Sequence, residues 1–184
     1  MADLLDMPRL SLAEREHRWA RVRQAMDERG WACIITPPHT GHWELYSADT
    51  RYLTHIGGNC SETACVFPRE GEVMAVVLNR PEFWLRAQNW VTDLHTPKHH
   101  VWSAPMIDRM RDLGIDRQRI GVVGLAGGVR SPEGTIAHGF FENIRAAFPN
   151  AIYDDATVVM ANLRALKSPE ELAVMEQAAA VAEA

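Results

Sequence analysis

The sequence predicts an α/β fold, a mixed β-sheet flanked by helices. Segments with apolar residues at helical spacing alternate with short, nearly continuous apolar runs of strand type. Two β-rich runs, 63–67 and 72–78, are separated only by Pro68-Arg69-Glu70-Gly71, a hairpin signal that breaks the alternation and makes the sheet mixed. The 184 residues are 47% hydrophobic and 23% charged, which suits one domain, or one domain with an appendage.

The elements follow in order. Ser11-Leu12-Ala13-Glu14 reads as a capping box, with Ser11 covering an orphan N–H and Glu14 reaching back to the cap. Leu12, Trp19, Val22 and Met26 then recur at helical spacing, and Gly30 supplies the stop. The apolar run 31–36 suits a buried strand ended by Pro37-Pro38. A polar and aromatic loop, 39–50, leads to Arg51-Tyr52-Leu53-Thr54-His55 and Gly57-Gly58, ahead of the hairpin. Residues 81–88 read as helix with Pro81 near the first turn, and 91–94 as a strand. Ile107, Met110 and Leu113 share a helical face that Gly114 stops before strand 119–123. Helix 133–148, strand 151–153 and helix 157–166 complete the domain.

Composition excludes several classes of function. Asp and Glu number 24 against 19 Lys and Arg, a net charge of −5, so neither nucleic acid nor an anionic membrane is an expected partner. No stretch approaches the roughly 18 apolar residues of a membrane span. Met1-Ala2-Asp3-Leu4-Leu5-Asp6 has no basic start and no apolar run, so an export signal is not expected. Cys33, Cys60 and Cys65 are too few and too irregular for a disulfide framework and suit a reducing cytoplasm.

Ser168-Pro169-Glu170-Glu171 is a second capping box, with Ser168 at N-cap, Pro169 at N1 and Glu171 at N3. Leu172, Met175, Ala179 and Ala182 form an apolar stripe on the helix it starts. That helix reaches Ala184 without Gly, Asn, Pro or a basic last turn, and cap statistics alone divide evenly between a natural end and a continuation.

The segment Arg164-Ala165-Leu166-Lys167-Ser168-Pro169-Glu170-Glu171-Leu172 resembles the "R-x-hydrophobic-K-S-P-E-E" junction of the creatinase/aminopeptidase P/prolidase family. There the junction joins an N-terminal domain to a metal-dependent, pita-bread catalytic domain. Met175-Glu176-Gln177-Ala178-Ala179 is similar to the first catalytic-domain helix. Arg51-Tyr52-Leu53-Thr54 with Gly57 resembles the family's "YLTG" segment, although His55 and Ile56 intervene before the glycine. Gly30 to Ile35 resembles its "G-x-D-A-hydrophobic" strand, with Trp31-Ala32 in place of Asp-Ala. Leu113-Gly114 with Arg119-Ile120-Gly121-Val122 resembles its "LG…RIGV". The motifs occur in family order along nearly the whole chain from Ser11.

The resemblance implies a creatinase-type N-terminal domain of ribonuclease H-like layout over 1–166, with 167–184 as linker and the beginning of a catalytic-domain helix. It implies a full-length hydrolase in which two Asp, one His and two Glu, all beyond the linker, hold two divalent ions (Mn, Zn or Co). Those ions would activate water against a C–N bond of a small peptide or of a creatine-like substrate. The chain itself would carry no catalytic, cofactor or metal residue. It would pair with its own catalytic domain and form a homodimer in the cytoplasm. The loop after "YLTG" would approach the partner's active site. Asn59, Ser61 and Glu62, with Arg51 or His55 nearby, are therefore the expected substrate-pocket residues, held in a loop that Gly57-Gly58 lets turn tightly.

Other constellations read more plainly. Pro97 keeps His95, His99 and His100 off one helical face, and His39-x-x-His42 has no second ligand cluster at a recognised spacing. Gly121 to Gly128 follows a strand but has neither phosphate-loop phasing nor a closing Lys. Asp154 and Asp155, adjacent on an extended segment, point to opposite faces, and Asp155 is placed to cap the next helix. The alternative to a hydrolase domain is a self-contained small α/β ligand-binding module.

Overall fold

The computed structural model describes residues 10–38, 47–57, 62–78, 80–127 and 132–183. Helix α1 (Leu12–Arg29) starts where Ser11 Oγ accepts the Glu14 N–H at 3.1 Å, and ends at Gly30, whose φ of 68° turns the chain in the left-handed region. The predicted return contact from Glu14 to the cap is absent. Glu14 instead turns inward to Arg18 at 2.7 Å, both side chains buried, while the Ser11 N–H goes to Glu170, 159 residues away. A buried guanidinium needs a carboxylate more than an exposed amide does.

Strand β1 (Trp31–Thr36) follows as expected. Helix α2 (Ala48–Thr54) begins inside the stretch predicted as loop, because the Thr50 hydroxyl meets that of Thr36 at 2.7 Å and ties the turn to the end of β1. The rest of that stretch, 39–46, lies outside the described residues. The hairpin is present: β2 (Thr63–Pro68) pairs antiparallel with β3 (Met74–Val77), Thr63 opposite Val77. Helix α3 (Pro81–Ala87) has Pro81 in its first turn. Strand β4 (Asp93–His95) starts later than the predicted 91–94, since Gln88 takes the backbone N–H of Val91 at 2.9 Å and its carbonyl at 2.8 Å.

Helix α4 (Ser103–Asp112) and strand β5 (Arg119–Val122) match the expected periodicity. Helix α5 (His138–Ala147) is shorter than the predicted 133–148. Gly134 has φ 90°, and the Thr135 and Ile136 amides both bond to the Gly124 carbonyl, so this stretch forms a turn against the β5 loop. Strand β6 (Ile152–Asp155), α6 (Thr157–Ala165) and α7 (Pro169–Glu183) complete the chain.

The strands form one six-stranded mixed sheet in the order β4-β3-β2-β1-β5-β6. Only β2 runs against the others, so β1, β3, β4, β5 and β6 share one carboxyl edge. One face is covered by Trp19, Val22 and Met26 of α1, Leu53 of α2 and Met160 of α6. Met106 and Met110 of α4 with Phe140 and Ile144 of α5 cover the other. Each such side chain, once buried, contributes about 1.5–3 kcal/mol. These two layers make the predicted α/β sandwich. Among the described residues no helix is long and apolar enough to cross a membrane.

Candidate functional site

The expected substrate-pocket residues divide between two places. Arg51 lies on α2 and His55 just past its C-terminal end, and α1 fixes the position of that helix: Trp19 Nε1 donates to the Leu53 carbonyl at 2.8 Å and Arg18 Nη1 to that of Tyr52 at 3.3 Å. Thr54 Oγ1 donates to the Thr50 carbonyl at 2.7 Å and accepts the Ile56 N–H, which closes the helix. His55 turns the chain at φ 59°, and its ring lies 5.1 Å from that of Trp90. Gly57, at φ 138°, allows the tight exit that its residue type suggested.

Arg51 and His55 line a groove of about 440 Å³ between α2, the α6–α7 junction and α7, together with Arg18, Arg164, Lys167 and Glu171. Two of its four Arg and Lys side chains are paired with acids. Arg18 meets Glu14 and Glu171, and Arg164 Nε donates to Asp49 at 2.8 Å. Burial pushes the Asp49 carboxyl above its ordinary pKa, against the lowering pull of the Arg164 charge and hydrogen bond. The Lys167 ammonium donates to the Arg164 and Ala165 carbonyls and so caps α6. Leu10, Val174 and Met175 add apolar lining to the groove.

Glu62 lies elsewhere. It lines a cavity of about 430 Å³ on the α4/α5 side, with Pro38, His100, Trp102, Ser103 and Asn143. Pro38 sets this cavity at the shared carboxyl edge of the sheet, where open α/β sheets bind ligands. Ser103 is buried, and its hydroxyl accepts from Asn143 Nδ2 at 3.1 Å. Asn59 and Ser61 lie outside the described residues, as do Cys60, His39 and His42. No local sequence signal points to Trp102, Ser103 or Asn143. They meet Glu62 only through strand order, which no local pattern encodes.

The remaining constellations settle plainly. His95 pairs with Asp93 at 2.7 Å, and His99 and His100 sit in a turn at φ 49° and 63°. Among the described residues no three His, Cys, Asp or Glu side chains are grouped so as to hold a metal ion. Cys33 and Cys65 are free thiols inside β1 and β2. The amides after β5 are already used: Gly124 N–H donates to Thr157 Oγ1 at 2.8 Å and Ala126 N–H to Asp155 Oδ1 at 3.0 Å. That removes them as a phosphate cradle. Asp155 Oδ1 also accepts the Thr157 N–H at 3.2 Å, steadying the start of α6, while Asp154 turns to Trp31 and Arg119.

In sequence the chain matches no protein-family model and no curated protein. In structure it resembles Xaa-Pro peptidases. A Xaa-Pro dipeptidase from Bacillus anthracis superposes with TM-score 0.61 at 13% identity, over 86% of this chain and 38% of that one. A prolidase from Thermococcus sibiricus gives TM-score 0.62 at 15% identity, over 86% and 39%. The N-terminal domain of the cytoplasmic peptidase PepQ from Mycobacterium tuberculosis gives 0.54 at 13%, over 80% and 98%. The chain therefore has the α/β fold of an Xaa-Pro peptidase N-terminal domain, as the family resemblance implied. It spans less than half of the two longer chains and nearly all of the isolated domain.

Proposed function

We propose that the chain is the non-catalytic N-terminal domain of a metal-dependent hydrolase that cleaves C–N bonds, of Xaa-Pro peptidase or creatinase-like type. The observation that carries this reading is the coverage: this fold accounts for 38% and 39% of two peptidase chains and 98% of a separate N-terminal domain. In this reading the two divalent ions are bound in a further domain of the full-length protein, and the catalytic groups lie there with them. The N-terminal domain's part is to supply dimer contacts and one wall of the partner's pocket, in a cytoplasmic enzyme acting on a small peptide or creatine-like molecule. Glu62 has the better position for that wall, at the carboxyl edge of the sheet beside Trp102, Ser103 and Asn143. Arg51 and His55 face the α7 groove instead.

Two measurements test this. The 184-residue chain, assayed with Xaa-Pro dipeptides and creatine in Mn²⁺, Zn²⁺ or Co²⁺, is expected to turn over neither. Turnover abolished by a chelator would place catalysis here and overturn the reading. The coding sequence after Ala184 is expected to supply two Asp, one His and two Glu in order. A stop codon there would leave the self-contained binding module.

A further inference from the structure

Helix α7 touches the rest of the protein in an unusual way. Of its residues only Glu170, Glu171 and Val174 are half-buried; those from Met175 to Glu183 are exposed, and although Val174 and Met175 line the groove, Leu172 and Met175 belong to neither core cluster. An amphipathic helix normally docks through its apolar face. Here the directed contacts are hydrogen bonds and an ion pair, and they are confined to the first turn.

Its parts interlock. Both oxygens of Glu170 meet Ser11, one accepting its backbone N–H and the other its hydroxyl at 2.9 Å. The same hydroxyl oxygen accepts the Glu14 N–H, so the Ser11 side chain caps α1 while it holds α7. Glu171 is equally divided: Oε2 accepts the Ser168 N–H at 3.0 Å, completing the capping box of α7, and Oε1 lies 3.0 Å from Arg18 Nη2. The latter contact is an ion pair rather than a directed hydrogen bond. Arg18 is 3% exposed and sits 4.6 Å over the Tyr52 ring and 5.1 Å from the Trp90 ring, so it cannot follow a moving partner. The Glu170 carboxylate also lies against the positive end of α1.

We propose that the N-terminus of α1 is a socket for the paired carboxylates of Glu170 and Glu171, and that this polar clamp, not apolar packing, fixes the direction in which α7 leaves the domain. The clamp is a property of this chain alone. Under the function proposed above, and only under it, the same clamp would aim the catalytic domain.

Spin labels at Asp27→Cys and Ala178→Cys, in a Cys60→Ser background where Cys33 and Cys65 stay buried, report the α1–α7 distance by double electron–electron resonance. The unmodified clamp should give one narrow distribution. Glu170→Gln with Glu171→Gln should broaden it about twofold or more, as expected when a few weak ionic contacts are lost. About 1 M NaCl, where the screening length is about 3 Å, should broaden it without any substitution. Val174→Ala should not. A distribution that stays narrow in the double variant and in salt would overturn the clamp. So would one already broad in the unmodified protein, or a Val174→Ala effect as large as that of the double variant. None of these outcomes depends on whether the protein is a peptidase domain.

Discussion

The indole N–H of Trp31 donates to Asp154 at 2.8 Å, and the same carboxylate takes Arg119 Nη1 on both its oxygens at 2.7 and 2.9 Å. Three neighbouring strands, β1, β5 and β6, are thereby joined by one acid. The Trp31 ring lies so close to Gly121 that a Cβ there would stand 2.8 Å from Cε3. A buried ring has no flexible end to move, so Gly121→Ala should destabilise the fold by about 1–3 kcal/mol, read as a lower urea midpoint with an unchanged slope.

The same acid makes stability depend on pH. Burial alone would raise the Asp154 pKa, but the hydrogen bonds from Trp31 and Arg119 and the Arg119 charge outweigh it, and the carboxyl is held below its ordinary 3.8. A depressed folded-state pKa gives stability that is present above the unfolded value and is lost as pH falls through the folded one. The stability gap between the unmodified chain and Asp154→Asn should therefore be full at neutral pH and should close as pH drops below about 3.8. Denaturation curves at neutral and acid pH check the sign.

Asp49 and Arg164 should respond unequally. Burial holds the Asp49 carboxyl above its ordinary pKa despite Arg164 at 2.8 Å, so ionised Asp49 is costly in place. Asp49→Asn removes that cost and keeps an acceptor, and should change stability by less than about 1 kcal/mol. Arg164→Met strands a buried carboxylate and should cost more, on the order of 3 kcal/mol. Equal effects in thermal unfolding would mean that the pair shares its burden evenly.

Much of this fold is legible in the sequence because the signals are local. Ser11, Gly30, Pro81, Gly114 and the Ser168 box each mark an element boundary through contacts within a few residues, and the structure keeps all of them. Departures occur where a side chain claims a group that the local pattern had assigned elsewhere: Gln88 takes the neighbouring Val91 backbone out of β4, while from farther off Thr36 pulls Thr50 into α2 and Glu170 replaces Glu14 at the α1 cap. The site suffers most. Arg51 and Glu62, eleven positions apart in the chain, line different cavities, and only strand order reveals which neighbours each has.

Cys33 and Cys65 are fully buried in adjacent strands, and burial pushes the Cys33 thiol up to about 12 and Cys65 higher still. Thiolates, not thiols, attack disulfide reagents. In a Cys60→Ser chain, neither thiol should react with an aromatic disulfide until the protein unfolds. Both should then appear together at the unfolding rate. Reaction of one thiol in the native state would mean that the central strands open separately.

Glu62 offers the test closest to function, because its position joins two independent lines. The chain segment it ends is the one in which the family resemblance places substrate contacts, and the cavity it lines lies at the edge where parallel strands present their loops. A carboxylate beside the Ser103–Asn143 pair can accept from a cationic or amide group of a substrate, which an isosteric amide does less well. Under the hydrolase function proposed above, Glu62→Gln or Asn59→Ala in the full-length protein should therefore shift the ratio of kcat/KM between two substrates by about tenfold, some 1.4 kcal/mol of discrimination, with metal content unchanged. Arg51→Ala, on the other face, should leave that ratio alone while weakening only the α7 groove. Unchanged preference in Glu62→Gln across several substrates would return 58–62 to an ordinary polar loop.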